Sequence, residues 1–145
     1  MNNYAEAARV MAERFGHDTL LSLATLDAKR PSVRIVNSYY EDGAFYVVTY
    51  GCSNKMKQLG KNPEAAVCAE WFTANGTGEN IGHPRDAGNA ALMAKLRAAF
   101  AEWYDNGHID EADPHTCILR VRLTEGVLFH HGTKYEIDFT KQKAR

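Results

Sequence analysis

Apolar positions near the start of the chain repeat every three or four residues, which is the spacing of one helix face. The pattern runs to Phe15, and Gly16 follows it as a typical helix-ending residue. Asn3 stands where a capping residue is preferred, and Glu6 follows three positions later, as in a capping box. The sequence therefore predicts a first helix between Asn3 and Gly16.

The pattern then changes to short runs rich in β-branched and aromatic residues, separated by turn residues, which is typical of strands. We predict strands over residues 19–26, 32–40, 44–50, 65–73, 116–123, 127–131 and 135–139. Asp42 and Gly43 form a two-residue hairpin turn, because both central positions of such a turn favour φ above zero. Residues 124–126 are expected to be another turn, and the Gly- and Asn-rich residues 74–84 a loop or bulged strand.

Two more helices are expected between these strands. Ser53 opens a short one, which Pro63 closes because the residue before a proline avoids the α region. Asp86 or Asn89 caps a longer amphipathic helix that ends at Gly107.

Strands in hairpin-linked runs with few helices between them favour an antiparallel sheet over a parallel, doubly wound one. With six to eight strands, a closed or partly open barrel hides the sheet edges economically. The predicted class is therefore mainly β (α+β): an antiparallel barrel with an N-terminal helix, a short helix after the third strand and a longer amphipathic helix. A length of 145 residues suits one domain over 1–145.

Composition narrows the function classes. The chain is 45% hydrophobic and 24% charged, with a formal net charge of -1, so nothing in its charge favours nucleic acid or an anionic membrane as partner. Three widely spaced cysteines, Cys52, Cys68 and Cys117, do not form a disulfide framework or a metal motif. We expect a cytoplasmic protein, because the sequence shows no signal peptide and no apolar membrane span.

The segment with the clearest chemistry joins a hairpin to the short helix. Ser53, Asn54 and Lys55 lie at a helix start, where free N–H groups and the helix dipole favour an anion. Arg34 on the neighbouring strand offers a bidentate fork for a phosphate. The alternative is structural: Ser53 as a simple cap, with Lys55 and Arg34 as solvated surface residues.

The stretch PSVRIVNSYYEDGAFYVVTYGCSNKMKQLGKNPEAAV resembles the pyridoxamine 5'-phosphate oxidase-like family, the FMN-binding split barrels. Members of that family carry an arginine followed by apolar residues on one strand and a threonine at the next strand end. A lysine follows six positions after the threonine, and Asn-Pro follows the helix. Arg34, Thr49, Lys55 and the pair at 62–63 match these features in register.

The resemblance implies an antiparallel split β-barrel and an FMN cofactor at a homodimer interface. It places the following residues at the cofactor: Arg34, Ile35, Val36, Asn37, Val48, Thr49, Ser53, Asn54, Lys55 and, from the neighbouring subunit, Asn80. Two departures matter. Asn54 replaces an arginine that is usual in the family, and the Arg-x-His motif of true pyridoxamine phosphate oxidases is absent.

We therefore expect an FMN-dependent oxidoreductase acting on an unassigned small molecule, a small general member of the family and not a vitamin B6 oxidase. No side chain stands out as a catalytic acid or base, and flavin chemistry does not require one. The alternative is a non-catalytic flavin- or haem-binding, storage or stress-related protein, and a deazaflavin is a further candidate ligand. No metal site is expected, because His130 and His131 are adjacent on a strand and point to opposite faces.

Overall fold

Eight strands and three α-helices make up the protein, and the computed structural model describes all 145 residues. The strands are β1 (Thr19–Asp27), β2 (Arg30–Glu41), β3 (Ala44–Tyr50), β4 (Glu64–Ala69), β5 (Phe72–Asn80), β6 (Thr116–His130), β7 (Thr133–Asp138) and β8 (Lys143–Ala144). The helices are α1 (Tyr4–Phe15), α2 (Asn54–Lys61) and α3 (Ala90–Ala99), the last preceded by a single 3-10 turn (Ala87–Asn89). No helix has the length and apolar character needed to cross a bilayer.

All neighbouring strands pair antiparallel, in the order β3-β2-β1-β4-β5-β6-β7-β8. The first half of β6 also pairs with β3, which closes a six-stranded barrel, whereas its second half pairs with β7. One long strand thus serves both the barrel and the extension beyond it. The predicted mainly β, antiparallel split barrel with three helices is confirmed.

Two clusters of apolar side chains lie on the two sides of the barrel wall. Inside, α1 buries Phe15 against Phe45 and Phe72, with ring centroids 5.8 and 5.5 Å apart, within the range of favourable aromatic pairs. Outside, α3 packs against β3 and β6. Val48 and Ile118 point outward from these strands, and α3 covers and buries them. This second cluster places the end of α3 beside the end of β3.

The hairpin at Asp42 and Gly43 is confirmed, with φ of 47° and 82°. The single strand predicted over 65–73 is wrong, because the chain turns back at Glu70 and Trp71 and forms β4 and β5. Trp71 adopts φ of 57°, a conformation that a bulky residue rarely takes. Because neither Glu70 nor Trp71 is a residue typical of turns, the sequence did not predict a turn here. The Gly-rich residues after it belong to strand β5, which has an irregularity between Asn75 and Gly76, so of the two predicted alternatives, a loop or a bulged strand, the bulged strand is confirmed.

The turn predicted at 124–126 is also wrong, because β6 continues through it. Glu125 pairs with Asn75 on one side and with Asp138 on the other, so neighbouring strands hold the backbone extended. Gly76, at an irregularity in β5, lies so close to the Arg122 carbonyl that a Cβ would collide with it. Sheet pairing on both edges therefore outweighs the local preference of Gly-containing segments for turns.

Helix boundaries differ from the prediction in two respects. Asn3 precedes α1 but its side chain makes no capping bond; Asn2 Oδ1 instead accepts the Tyr4 N–H at 3.0 Å. The predicted long helix to Gly107 is shorter, since α3 ends at Ala99. The chain continues through irregular turns to β6, and we call residues 100–115 the wall segment.

The wall segment is held to α3 by the carboxylate of Glu111. Both oxygens accept bonds from the Arg97 guanidinium at 2.9 Å, and one also accepts the Tyr104 hydroxyl at 2.6 Å. Glu111 is only 14% exposed, and these donors lower its pKa from 4.5 to about 2. Because the carboxylate form is the one that is bound, this tie stabilises the fold above pH 4.5 and is lost as the pH falls towards 2.

We expect Glu111→Gln to lower the free energy of unfolding at pH 7 by about 1–3 kcal/mol, since Arg97 is partly exposed and screened. Urea unfolding across a pH series measures this, and the difference from wild type should shrink as the pH falls from 4.5 towards 2. The exposed Glu102→Gln in the same segment is the matched control. A difference that stayed constant across the series would contradict this origin of the stability.

Candidate functional site

The turn between β3 and α2 sets the position of the helix start. The N–H of Ser53 donates to the Tyr50 carbonyl at 3.1 Å, and the N–H of Gly51 donates to the His115 carbonyl at 2.7 Å. A Cβ on Gly51 would lie 2.7 Å from that same carbonyl, so a glycine is required for this close approach. The first turn of α2 is thereby anchored to the wall segment as well as to β3.

Arg34 is held on β2 by oxygen atoms that carry no charge. Its guanidinium donates to Thr25 Oγ1 at 2.6 Å, to Ser32 Oγ at 2.9 Å and to Gln58 Oε1 at 3.2 Å. The Thr25 hydroxyl donates in turn to Gln58 Oε1 at 2.6 Å. These bonds fix the guanidinium in place and leave its positive charge unneutralised.

Lys55, in the first turn of α2, is the second cation of the site. Burial lowers its pKa, and the nearby positive charge of Arg34 lowers that pKa further. Burial also lowers the pKa of Arg34. The positive charge of Arg34 therefore acts on Lys55, and an anion bound beside Lys55 would experience the charge of both side chains.

Neither Arg34 nor Lys55 belongs to an ion pair. By contrast, Arg120 on β6 pairs with Glu79 at 2.6 Å, and Lys95 and Arg97 of α3 pair with Glu41 and Glu111. The ammonium of Lys55 has one side-chain hydrogen bond, to Ser53 Oγ at 3.4 Å. Two partly buried positive charges without a negative partner favour binding of an anion.

A cleft of about 780 Å³ opens beside Lys55, a size typical of small-molecule and cofactor sites. One side comes from β2, β3 and the start of α2, and the other from the wall segment and the start of β6. The lining residues are Ile35, Val36, Asn37, Val47, Val48, Thr49, Tyr50, Ser53, Lys55, Trp103, Asn106, His108, Ile109, Asp110, Asp113 and Thr116. The cleft thus has a cationic end and a mixed apolar and polar body.

Seven of the ten residues that the sequence predicted at the cofactor line this cleft: Ile35, Val36, Asn37, Val48, Thr49, Ser53 and Lys55. Arg34 does not line it and lies behind it in the network with Gln58. Asn54 is exposed and outside the lining. Asn80 also lies outside it, and its Oδ1 accepts the Gly82 N–H at 2.8 Å.

The sequence did not predict the other nine lining residues, Trp103 among them, nor Gln58, Thr25 and Asp18, which hold residues of the site by hydrogen bonds. Gln58 lies three positions after Lys55 in the predicted helix, and residues at this spacing are neighbours on the helix surface. Helical spacing could therefore have predicted that Gln58 lies near the site. Thr25, Asp18 and Trp103 gave no such signal, because only strand pairing and the packing of α3 bring them to this region.

A larger groove of about 940 Å³ lies on the outer face of the sheet and contains none of the ten predicted residues. Both signs of charge line it, from Glu125, Glu136 and Asp138 to Lys141 and Lys143. Its lysines are exposed to solvent, whereas Lys55 in the cleft is partly buried, so we take the cleft as the candidate site.

Solved structures of other proteins share this fold. General stress protein 26 from Bacillus anthracis str. Sterne superposes with a TM-score of 0.65 at 15% identity, covering 83% of this chain and 92% of that one. A FAD-binding protein from Mesorhizobium loti gives a TM-score of 0.64 at 14% identity, with 82% and 91% coverage. A heme binding protein from Mycobacterium smegmatis gives 0.69 at 20% identity, covering 96% of this chain and 59% of that one.

At these identities the structural likeness establishes the fold and leaves the ligand open. No protein with a curated description matches the sequence. The sequence model of the pyridoxamine 5'-phosphate oxidase family matches residues 8–130, which include the barrel from β1 through β6 and the whole candidate site. The chain is therefore a member of the pyridoxamine 5'-phosphate oxidase family.

Proposed function

We propose that the protein binds FMN in the cleft and acts as an FMN-dependent oxidoreductase on a small molecule that is still unassigned. The observation that carries this proposal is a pair of partly buried cations without an ion-pair partner: Lys55 lines one end of a cofactor-sized cleft, and Arg34 lies behind it. A phosphate ester carries the negative charge that would neutralise this pair. Membership in the family makes a flavin phosphate the leading candidate.

The phosphate would bind where several donors converge. Lys55 supplies an ammonium, Ser53 a hydroxyl, and the first turn of α2 supplies N–H groups without partners inside the helix. Arg34, held from behind by neutral oxygens, adds positive charge to the same place. The rest of the cleft is then left for the ring system.

The ring would lie along β2 and the end of β3. Ile35, Val36 and Val48 give this part of the cleft an apolar surface, and Ile109 of the wall segment adds to it. When bound, FMN supplies hydride and electron transfer through its own ring. The contribution of the protein is to bind the phosphate, orient the ring and limit access of water, so no catalytic acid or base is assigned.

Two subunits are part of this proposal. On the face shared by β1 and β2, Leu20, Val33 and Ile35 are 64–69% exposed, an unusual exposure for three neighbouring aliphatic side chains. Ile35 also lines the cleft, so a second copy of the chain covering this face would also cover the ring site. These exposed side chains support the proposal of a homodimer with the flavin at its interface.

The compartment that we propose is the cytoplasm. All three cysteines are free thiols, and Cys52 and Cys68 are exposed. Exposed thiols without disulfides suit a reducing compartment.

The spectrum of the purified protein, with mass spectrometry of the released ligand, tests the cofactor. A flavin spectrum with the mass of FMN, bleached by a reductant and restored with turnover of an acceptor, supports the oxidoreductase. The same spectrum without turnover supports a non-catalytic flavin binder. A Soret band would identify haem instead, and a deazaflavin mass would replace FMN.

Lys55→Ala should weaken FMN binding by about 10- to 100-fold, because a charge-assisted bond to the phosphate is lost. Isothermal titration with FMN and with riboflavin measures this, and riboflavin affinity should change little because it has no phosphate. Lys57→Ala, exposed on the same helix, is the matched control. Equal FMN affinity in Lys55→Ala and wild type would rule out the phosphate site.

Gln58→Glu should also weaken FMN binding, by about 10-fold, because a carboxylate would pair with Arg34 and neutralise the charge that the phosphate needs. Asn62→Asp adds the same charge at the far end of α2 and should have a much smaller effect. Tighter or unchanged binding in Gln58→Glu would show that the charge of Arg34 does not serve the ligand.

Val33→Lys should convert the dimer to a monomer, because it places a charge in the apolar face of β1 and β2. Sedimentation velocity measures the change, and Ala98→Lys on the exposed side of α3 is the control. The dimer model fails if the wild type sediments as a monomer at micromolar concentration with FMN bound.

A further inference from the structure

Asp18, at the junction of α1 and β1, joins the two sides of the cleft. Its Oδ1 accepts a bond from Asn37 Nδ2 at 3.0 Å, and its Oδ2 accepts a bond from Trp103 Nε1 at 2.8 Å. Asn37 belongs to β2 and Trp103 to the wall segment, and both line the cleft. One carboxylate therefore holds one residue from each side.

The indole of Trp103 is restrained on further sides. It packs on the fully buried Phe100 with ring centroids 5.0 Å apart, and on Tyr104 with centroids 6.1 Å apart. With its N–H bound to Asp18, its remaining exposed surface contributes to the cleft wall. Trp103 is the largest aromatic residue in that lining.

The position of Trp103 depends on Asp18 because the wall segment has no regular secondary structure of its own. Glu111 ties down the segment further along, through Arg97 and Tyr104. Near Trp103 itself, the bond to Asp18 is the only one that reaches across to the side of the cleft formed by β2.

We propose that Trp103 is the aromatic wall of the ring site and that Asp18 is the positioning residue that fixes its indole. This inference rests on the proposed binding of FMN in the cleft. The preferred ligand part is a flat, electron-poor aromatic ring system, because indole is electron-rich and packs favourably against such rings in offset or tilted geometry. Trp103 then forms one side of the ring site, in the same chain as the residues that bind the phosphate.

The carboxylate form of Asp18 is essential to this role. A carboxylate presents acceptors to both N–H donors, whereas an asparagine amide presents one acceptor and one NH₂ donor. Asp18→Asn therefore loses at least one of the two bonds and releases either Asn37 or Trp103. Asp27→Asn, at the exposed far end of β1, is the matched control.

The first measurement needs no ligand. The chain contains two tryptophans, so Trp71→Phe leaves Trp103 as the sole source of indole emission. In that background Asp18→Asn should shift the emission to longer wavelength and raise acrylamide quenching about 2-fold, because the indole becomes mobile and wetter. Asp27→Asn should change neither. Emission and quenching that stayed the same in Asp18→Asn would overturn the role of Asp18.

The second measurement uses the protein with FMN bound. Indole in contact with an excited flavin quenches it by electron transfer, so flavin emission in the wild type should be weak. Trp103→Phe should raise that emission at least about 3-fold and weaken FMN binding by about 2- to 10-fold. Adding Asp18→Asn to Trp103→Phe should raise the emission no further, because the two residues act through one contact.

The outcomes separate this inference from the proposed function. FMN bound with unchanged emission in Trp103→Phe overturns the aromatic wall and leaves the cofactor proposal intact. A wild-type protein that binds no FMN overturns the cofactor proposal and the aromatic wall together, while the ligand-free measurement still decides whether Asp18 holds Trp103. If Asp18→Asn does not fold, judged by circular dichroism, Trp103→Phe alone carries the test.

Discussion

The constraint on which the site depends is the presence of two partly buried cations that have no carboxylate partner. Burial lowers the pKa of both side chains, the positive charge of Arg34 lowers the pKa of Lys55 further, and no carboxylate forms an ion pair with either. Thr25 and Gln58 hold the guanidinium with neutral oxygens, which restrain it without removing its charge. An arrangement of this kind costs stability in the free protein and favours an anion that neutralises the two charges.

Closure of the barrel decides where this cationic pair lies. Because β3 pairs with the first half of β6, the end of β3 and the turn into α2 meet the wall segment that leads into β6. The packing of α3 outside β3 and β6 carries that segment across the end of the barrel. The cleft is therefore formed by elements far apart in sequence. Its cationic end, however, comes from β2 and α2, which are separated in the chain only by β3.

Two carboxylates with different partners give the irregular wall segment a defined position. Glu111 joins it to α3 through Arg97 and Tyr104, and its low pKa shows that the charged form is strongly favoured. Asp18 joins it to the opposite side of the cleft. A segment without regular hydrogen bonding can thus form a wall of a ligand site because side-chain contacts replace the missing backbone order.

The resemblance to the family indicated most of the residues along one side of the cleft. The sequence by itself determined the features that arise from neighbouring residues: the hairpin at Asp42, strand β3 and the start of α2 with Ser53 and Lys55. These follow from turn chemistry, strand alternation and helix-start preferences, which act over a few positions. Tertiary structure alone decided the turn at Trp71, the unbroken β6, and the convergence of Thr25, Asp18 and Trp103. Those features depend on strand pairing and packing between distant segments, and no local pattern encodes such contacts.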